Sequence, residues 1–280
     1  MPAAWRGFYI NLDASGDRRQ AVAHTLGQAG IADAYERFAA IDGAGKPPHC
    51  PMRPGQYGVF RSHHALLTGL TPDGRYIHVM EDDAVVARVF APVMHNVLAA
   101  GLMDAFDVVF TETMVMDNLP LIRMYKSLYD RSTAGGQGPA VSLIDMKTGD
   151  FAGMTSYFVN PRSTAKVVDC LARGLAQGPQ RPVDVHLRDE ARAGRLKVGL
   201  LFPFLTSIDT RLPSTIGGET PSGHASLLLR RAFFVDTDVG SARREMGDLM
   251  RHIGGMPEDA RLDLITDILR FMASSRFQGF

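Results

Sequence analysis

Three acids stand side by side in YIHVMEDDAVV (Tyr76–Val86): Glu81, Asp82 and Asp83, with apolar residues before and after them. Adjacent carboxylates repel one another, and apolar flanks imply partial burial, so the placement calls for a compensating partner. In an extended chain side chains alternate faces, which sets Glu81 and Asp83 on one side and Asp82 on the other. Two carboxylates at i and i+2 on the C-terminal end of a strand can hold a hard divalent cation through oxygen. Open α/β sheets bind ligands beyond that edge. Taken by itself, the local pattern fits a solvated acidic turn about as well.

Other residues with chemical potential are scattered along the chain. Asn11 and Asp13 close the first apolar run, and Arg18 and Arg19 open the segment after it, where guanidinium groups near a helix N-terminus suit a phosphate. Capping and surface charge explain the same residues. His63, in RSHHAL, falls near an apolar helix face and reads equally as a core histidine. Asp184, in PVDVHL, precedes a helical pattern, where N-capping is the simpler account. The stretch FLTSIDTRLPSTIGG has the hydroxyls, charges and glycines of a ligand-lining loop but no sharp signature.

The elements that must position these residues follow from periodicity. Short apolar runs predict strands at Gly7–Leu12, Tyr35–Ile41, Tyr76–Met80, Phe106–Glu112 and Leu196–Phe202, with further short strands in VSLIDM and SYFVN. Helical spacing predicts helices after Ser15, over Gln56–Leu70, from Pro92 to Leu102, from Pro161 to Ala176 and over Asp184–Gly194. Gly43–Gly55 reads as a loop, and Ser132–Ala140 as a mobile one. Strand and helix alternate, which predicts an α/β fold with a largely parallel sheet. Three helical segments after Pro221 predict a helical C-terminal appendage, so residues 1–220 form one domain and residues 221–280 an extension packed on it or on a partner.

Composition narrows the function. The 280 residues carry 30 basic and 30 acidic side chains, which leaves no basic excess for nucleic acid. The two cysteines, Cys50 and Cys170, form no C-x-x-C pair and read as thiols in a reducing compartment. The N-terminus lacks the apolar stretch of a signal peptide, and the longest apolar run, Val198–Leu205, is far short of the roughly 20 residues of a membrane span. The expectation is a cytoplasmic protein without a transmembrane segment, compatible with peripheral membrane contact and with homo-oligomers formed through the C-terminal helices. Phosphate-loop, dinucleotide, zinc-protease and nucleophile-elbow signatures are all missing.

In chain order the segments FYINLDASGDRR, RFAAIDG, GQYGVFRSHHALL, YIHVMEDDAVV, GMTSYFVNPRSTAKVV, PVDVHL and FPFLTS…PSTIG resemble glycosyltransferase family 25, the lipopolysaccharide-biosynthesis and collagen-type galactosyltransferase family. The resemblance covers about Gly7 to Gly217. The chain departs from it at Val59, where the family usually has cysteine, and in the tail beyond Pro221. The resemblance implies a GT-A-type fold, an inverting mechanism, a Mn2+ (or Mg2+) ion and a UDP-sugar donor. It implies that Asp83 and Glu81 hold the metal, with Asp82 on the ribose or supporting a ligand. Asn11, Asp13 and Arg19 would line the nucleotide end, Asp42 would reach base or ribose, and Ser62 and His63 would sit under the diphosphate or sugar. Asp184 would be the general base. The function expected is transfer of galactose or glucose to a glycan hydroxyl. The alternatives are a non-catalytic sugar-nucleotide or glycan-binding module and a metal-dependent phosphoester hydrolase.

Overall fold

The computed structural model describes residues 4–117, 120, 124, 141–176, 178–209, 211–212, 230–231 and 233–237. The expected mobile loop at Ser132–Ala140 and most of the expected C-terminal appendage lie outside the described residues.

Nine strands are described: β1 (Trp5–Asn11), β2 (Tyr35–Ala39), β3 (Tyr76–Glu81), β4 (Ala84–Val86), β5 (Val108–Val115), β6 (Ser142–Asp145), β7 (Phe151–Val159), β8 (Val198–Phe202) and β9 (Thr206–Ile208). The helices are α1 (Gly16–Gln28), α2 (Pro54–Thr68), α3 (Phe90–Ala99), α4 (Thr164–Ala176) and α5 (Val183–Arg192). Helix α3 starts two residues before the proline expected to open it. Pro92 is tolerated there because the first turn has no intrahelical partner for its N–H groups.

Seven strands form one sheet in the order β2-β1-β3-β7-β5-β8-β6. β1 pairs in parallel with β2 and β3, and β5 with β8. β7 lies antiparallel between β3 and β5, and β6 is antiparallel to β8. The α/β architecture is as expected, and its sheet is mixed: β1, β2, β3, β5 and β8 run one way, β6 and β7 the other.

Alternation along β1 divides the core. Phe8 and Ile10 join Phe60, Leu66 and Leu67 of α2 with residues of α4 and α5. Trp5 joins Val22 and Leu26 of α1 with Val93, Met94 and Val97 of α3. Both faces are covered, which is why the central strands read as continuous apolar runs. The chain passes from β1 over one face through α1 to β2, then over the other face through α2 to β3 on the opposite side of β1. That reversal leaves a crevice beyond the C-terminal ends of β1 and β3, where open α/β sheets bind ligands.

Two features were not foreseen. β4 follows the acids at once and pairs with β9 in a separate two-stranded sheet, which clamps the acid turn from its far end. Beyond residue 220, Phe233 is buried in the same core cluster as β1, against Phe202 and Phe204. Phe204 N donates to Phe233 O at 2.8 Å, and Val235 N donates back to Phe204 O. These residues are thus stitched into the sheet domain.

Candidate functional site

The crevice is a cleft enclosing about 840 Å³ of atom-free space, counting its mouth to solvent. One wall is the end of β1 and the start of α1, another is the backbone from Ala40 to Gly43 against α2, and the floor is the acid turn after β3.

The acids differ from their expected alternation. The chain leaves the strand at Glu81, Asp82 and Asp83 form a turn, and β4 begins at Ala84. Alternation holds only in extended chain, so Asp82 is not turned away: all three acids line the cleft. Asp82 accepts from Asn11 Nδ2 at 2.8 Å and pairs with Arg18 Nη1. Asp83 Oδ2 lies 3.2 Å from Arg18 Nη2. Asp83 Oδ1 is buried and has no hydrogen-bond partner among the described residues. Burial, then the neighbouring Glu81 charge, pushes the Asp83 carboxyl up to about 6, against the pull of Arg18. Burial also works against the Arg18 guanidinium, but Asp83 and Asp82 outweigh it and raise its pKa.

On the α2 wall, His63 is sealed from solvent. Its Nδ1 lies 2.9 Å from the Tyr157 hydroxyl, and its Nε2 faces Glu81 Oε1 at 3.7 Å without a hydrogen bond. Ser62 is equally buried, but its hydroxyl is used: it donates to Gly58 O at 2.7 Å and accepts from Ile41 N at 2.8 Å, tying the loop after β2 to the helix. That wall depends on two glycines. A Cβ on Gly43 would fall 1.6 Å from Pro54 O, and one on Gly58 would fall 2.6 Å from Ile41 O. Asp42 lines the cleft and accepts from Ala44 N at 3.0 Å.

The remaining predicted residues lie further out. Asn11 is buried behind the acids, where it also accepts from Arg37 Nε at 3.0 Å. Asp13 is exposed and pairs with Arg37. Arg19 is exposed and does not line the cleft, whereas Arg18 does. Asp184 stands in the first turn of α5 and not in the cleft lining. Its Oδ2 accepts from Gly153 N at 2.7 Å and its Oδ1 from Val185 N at 2.9 Å. Asp209 is tied to the acid turn by its N–H, which donates to Asp83 O at 2.7 Å.

Arg230, Glu112 and Tyr157 were not singled out in the sequence. Arg230 forms a two-point ion pair with Glu112, whose side chain is fully buried, and donates to Thr155 Oγ1 at 2.6 Å. Its charge acts on Asp83 and Glu81 as well. None of these contacts is local in sequence. Arg18 did have a signal: it is four residues before Val22 and eight before Leu26, on the buried stripe of α1.

The arrangement can bind an electropositive group. Glu81 and Asp83 offer oxygen donors, and a hard divalent cation commonly takes one or two carboxylates and completes its shell with water and phosphate. The orphaned Asp83 Oδ1 fits that demand. Among the described residues no group of three or more His, Cys, Asp or Glu is placed to hold a metal, so a cation here would draw on its ligand or on water for the rest. No described helix is long and apolar enough to cross a membrane. No family model and no curated protein matches this chain.

Proposed function

We propose that this chain is a metal-dependent inverting glycosyltransferase of GT-A type, moving galactose or glucose from a UDP-sugar to a glycan hydroxyl. The observation that carries the reading is the acid turn: three carboxylates at the crevice between β1 and β3, one with a buried oxygen that no described residue satisfies. Glu81 and Asp83 would hold a Mn2+ or Mg2+ ion. Bound there, the ion would stabilise the charge that the nucleoside diphosphate acquires on leaving.

The chain's own residues do the rest. Arg18 and Asn11 fix Asp82 and hold the turn to α1 and β1. Asp42, exposed at the rim of the cleft, suits ribose hydroxyls. Asp184 is the proposed general base. Each of its oxygens accepts one backbone N–H and keeps a second lone pair, which can take the acceptor hydroxyl's proton. As that oxygen bonds to the anomeric carbon, the bond from that carbon to the diphosphate breaks on the opposite face, and the configuration inverts.

The test is release of UDP from UDP-galactose and UDP-glucose by the purified chain with glycan acceptors, with and without a chelator. Metal-dependent release from one donor, lost in Asp83→Asn, supports the reading. Release unaffected by the chelator, or no release from either donor, contradicts it. Undiminished turnover in Asp184→Asn would assign the base elsewhere.

A further inference from the structure

The ladder between β5 and β7 loses its register at Glu112. Glu112 lies opposite Ser156 and Met114 opposite Ala152, so Gly153, Met154 and Thr155 of β7 face Thr113 alone. Such a bulge re-aims the groups it takes out of the ladder. Gly153 adopts a φ of 92°, a conformation that glycine reaches without strain, and its N–H donates to Asp184 Oδ2 at 2.7 Å. Asp184 Oδ1 accepts from Val185 N inside its own helix. Among the described residues, the Gly153 N–H is therefore the bond that ties this carboxylate to the sheet.

Arg230, from the chain beyond residue 220, fastens this bulge. Its Nε and Nη2 pair with the two oxygens of Glu112, and Nη2 also donates to Thr155 Oγ1 at 2.6 Å. One guanidinium thus holds a residue of β5 and a residue of β7 across the gap in their ladder. Glu112 and Thr155 are both buried, so water does not readily replace Arg230 on either. Three residues on, Phe233 is buried in the core, and Phe204 N donates to its carbonyl at 2.8 Å, which anchors the chain that carries Arg230. At the other end of the bulge Thr113 Oγ1 donates to Ala152 O at 2.9 Å. A Cβ on Gly153 would stand 3.9 Å from Arg230 Nη2, so the fastening lies directly against the residue that holds Asp184.

We propose that Arg230 is a positioning residue: by joining Glu112 to Thr155 across the bulge, it keeps the Gly153 N–H on Asp184 and so sets the place of that carboxylate. A side chain from beyond residue 220 then belongs to the working site without touching a substrate. That Asp184 acts as the base rests on the function proposed above; the fastening of the bulge does not.

The experiment uses two mild variants of the full chain. Thr155→Val keeps the Arg230–Glu112 pair and removes the bond to β7, and Arg230→Lys keeps the charge and loses the two-point fork. Amide hydrogen exchange, read by NMR, should be about tenfold faster at Gly153 in both, the effect of losing one charged hydrogen bond, with Phe158 and Val159 at the far end of β7 unchanged. Thr155→Ser, which keeps a hydroxyl, should restore protection. In UDP release, kcat should fall about tenfold, part of what a positioned base supplies, while the Kd for UDP with Mn2+ stays the same. Combined with Asp184→Asn, Thr155→Val should cost nothing further, because the two changes act through one group. Unchanged exchange at Gly153, acceleration spread evenly along β7, or a full additional loss in the Asp184→Asn background each overturns the inference. A wild type that releases no UDP contradicts the proposed function, while exchange at Gly153 still decides whether Arg230 fastens the bulge.

Discussion

Asn11 Nδ2 donates to Asp82 Oδ2 at 2.8 Å, joining the last residue of β1 to the acid turn 71 residues later. The same side chain accepts from Arg37 Nε and donates to Ser15 O, so one buried amide serves β1, β2, the start of α1 and the acids. Asn11→Leu removes the bonds to Asp82 Oδ2 and Arg37 Nε, while Ser15 O keeps the Arg19 N–H. The expected loss is about 1–3 kcal/mol of stability. Asn11→Asp sets a further carboxylate against Asp82 and should lower the melting temperature, with a partial recovery when divalent cation is added. Thermal unfolding of both variants with and without Mg2+ checks this; an unchanged melting temperature in Asn11→Leu would remove Asn11 from the framework of the site.

The wall opposite the acids is a contact of backbone on backbone. A methyl at residue 43 cannot be placed without moving Pro54, since its Cβ would meet the Pro54 carbonyl at 1.6 Å. Gly43→Ala should cost more than about 3 kcal/mol or displace the loop after β2. Gly45→Ala, where a Cβ meets nothing within 4 Å, is the control and should change little. Equal melting temperatures for the two variants would contradict the close approach.

The Arg230–Glu112 pair tests whether the chain beyond residue 220 is integral to the core. Both side chains are nearly or fully buried. Arg230→Met strands the Glu112 charge and should destabilise by about 3–5 kcal/mol, whereas Arg230→Met with Glu112→Gln should recover most of that. Denaturant unfolding measures both. A mild effect of the single change, with nothing recovered in the double one, would detach Arg230 from the core.

His78 predicts a pH dependence with a definite sign. It is buried between the Tyr35 hydroxyl and Ser156 Oγ, and burial lowers its pKa from 6.5 to about 3. The unfolded chain therefore binds this proton near pH 6.5 and the folded one only near pH 3. The stability tied to a neutral His78 is fully present above about 6.5 and is lost progressively as the pH falls toward 3. His78→Gln should flatten the stability profile across that window. A variant whose profile keeps the wild-type slope would show that His78 titrates normally in the folded state.

Much of this arrangement was legible in the sequence, for a physical reason. β1, β3, β5 and β8 are covered on both faces, so their apolar runs stand out, and the crossover helices carry one apolar stripe each. The acids stood out because their flanks are apolar. What sequence reading cannot supply is where a chain leaves its regular path. Asp82 joined the cleft because β3 stops at Glu81, and no periodicity announces that stop. Arg18 rather than Arg19 meets the acids because of helix phase, which the Val22 and Leu26 stripe does encode. Arg230 and Tyr157 reach their partners, Glu112 and His63, across 118 and 94 residues, and only the folded sheet brings them together.

The central claim is that the acid turn binds a divalent cation together with a nucleoside diphosphate. Titration calorimetry of UDP into the chain, with Mn2+ and with chelator, tests it most directly when paired with Asp83→Asn. The account predicts UDP binding that requires Mn2+ and disappears in Asp83→Asn while the variant stays folded. UDP binding of equal affinity with chelator, or undiminished in Asp83→Asn, would contradict it.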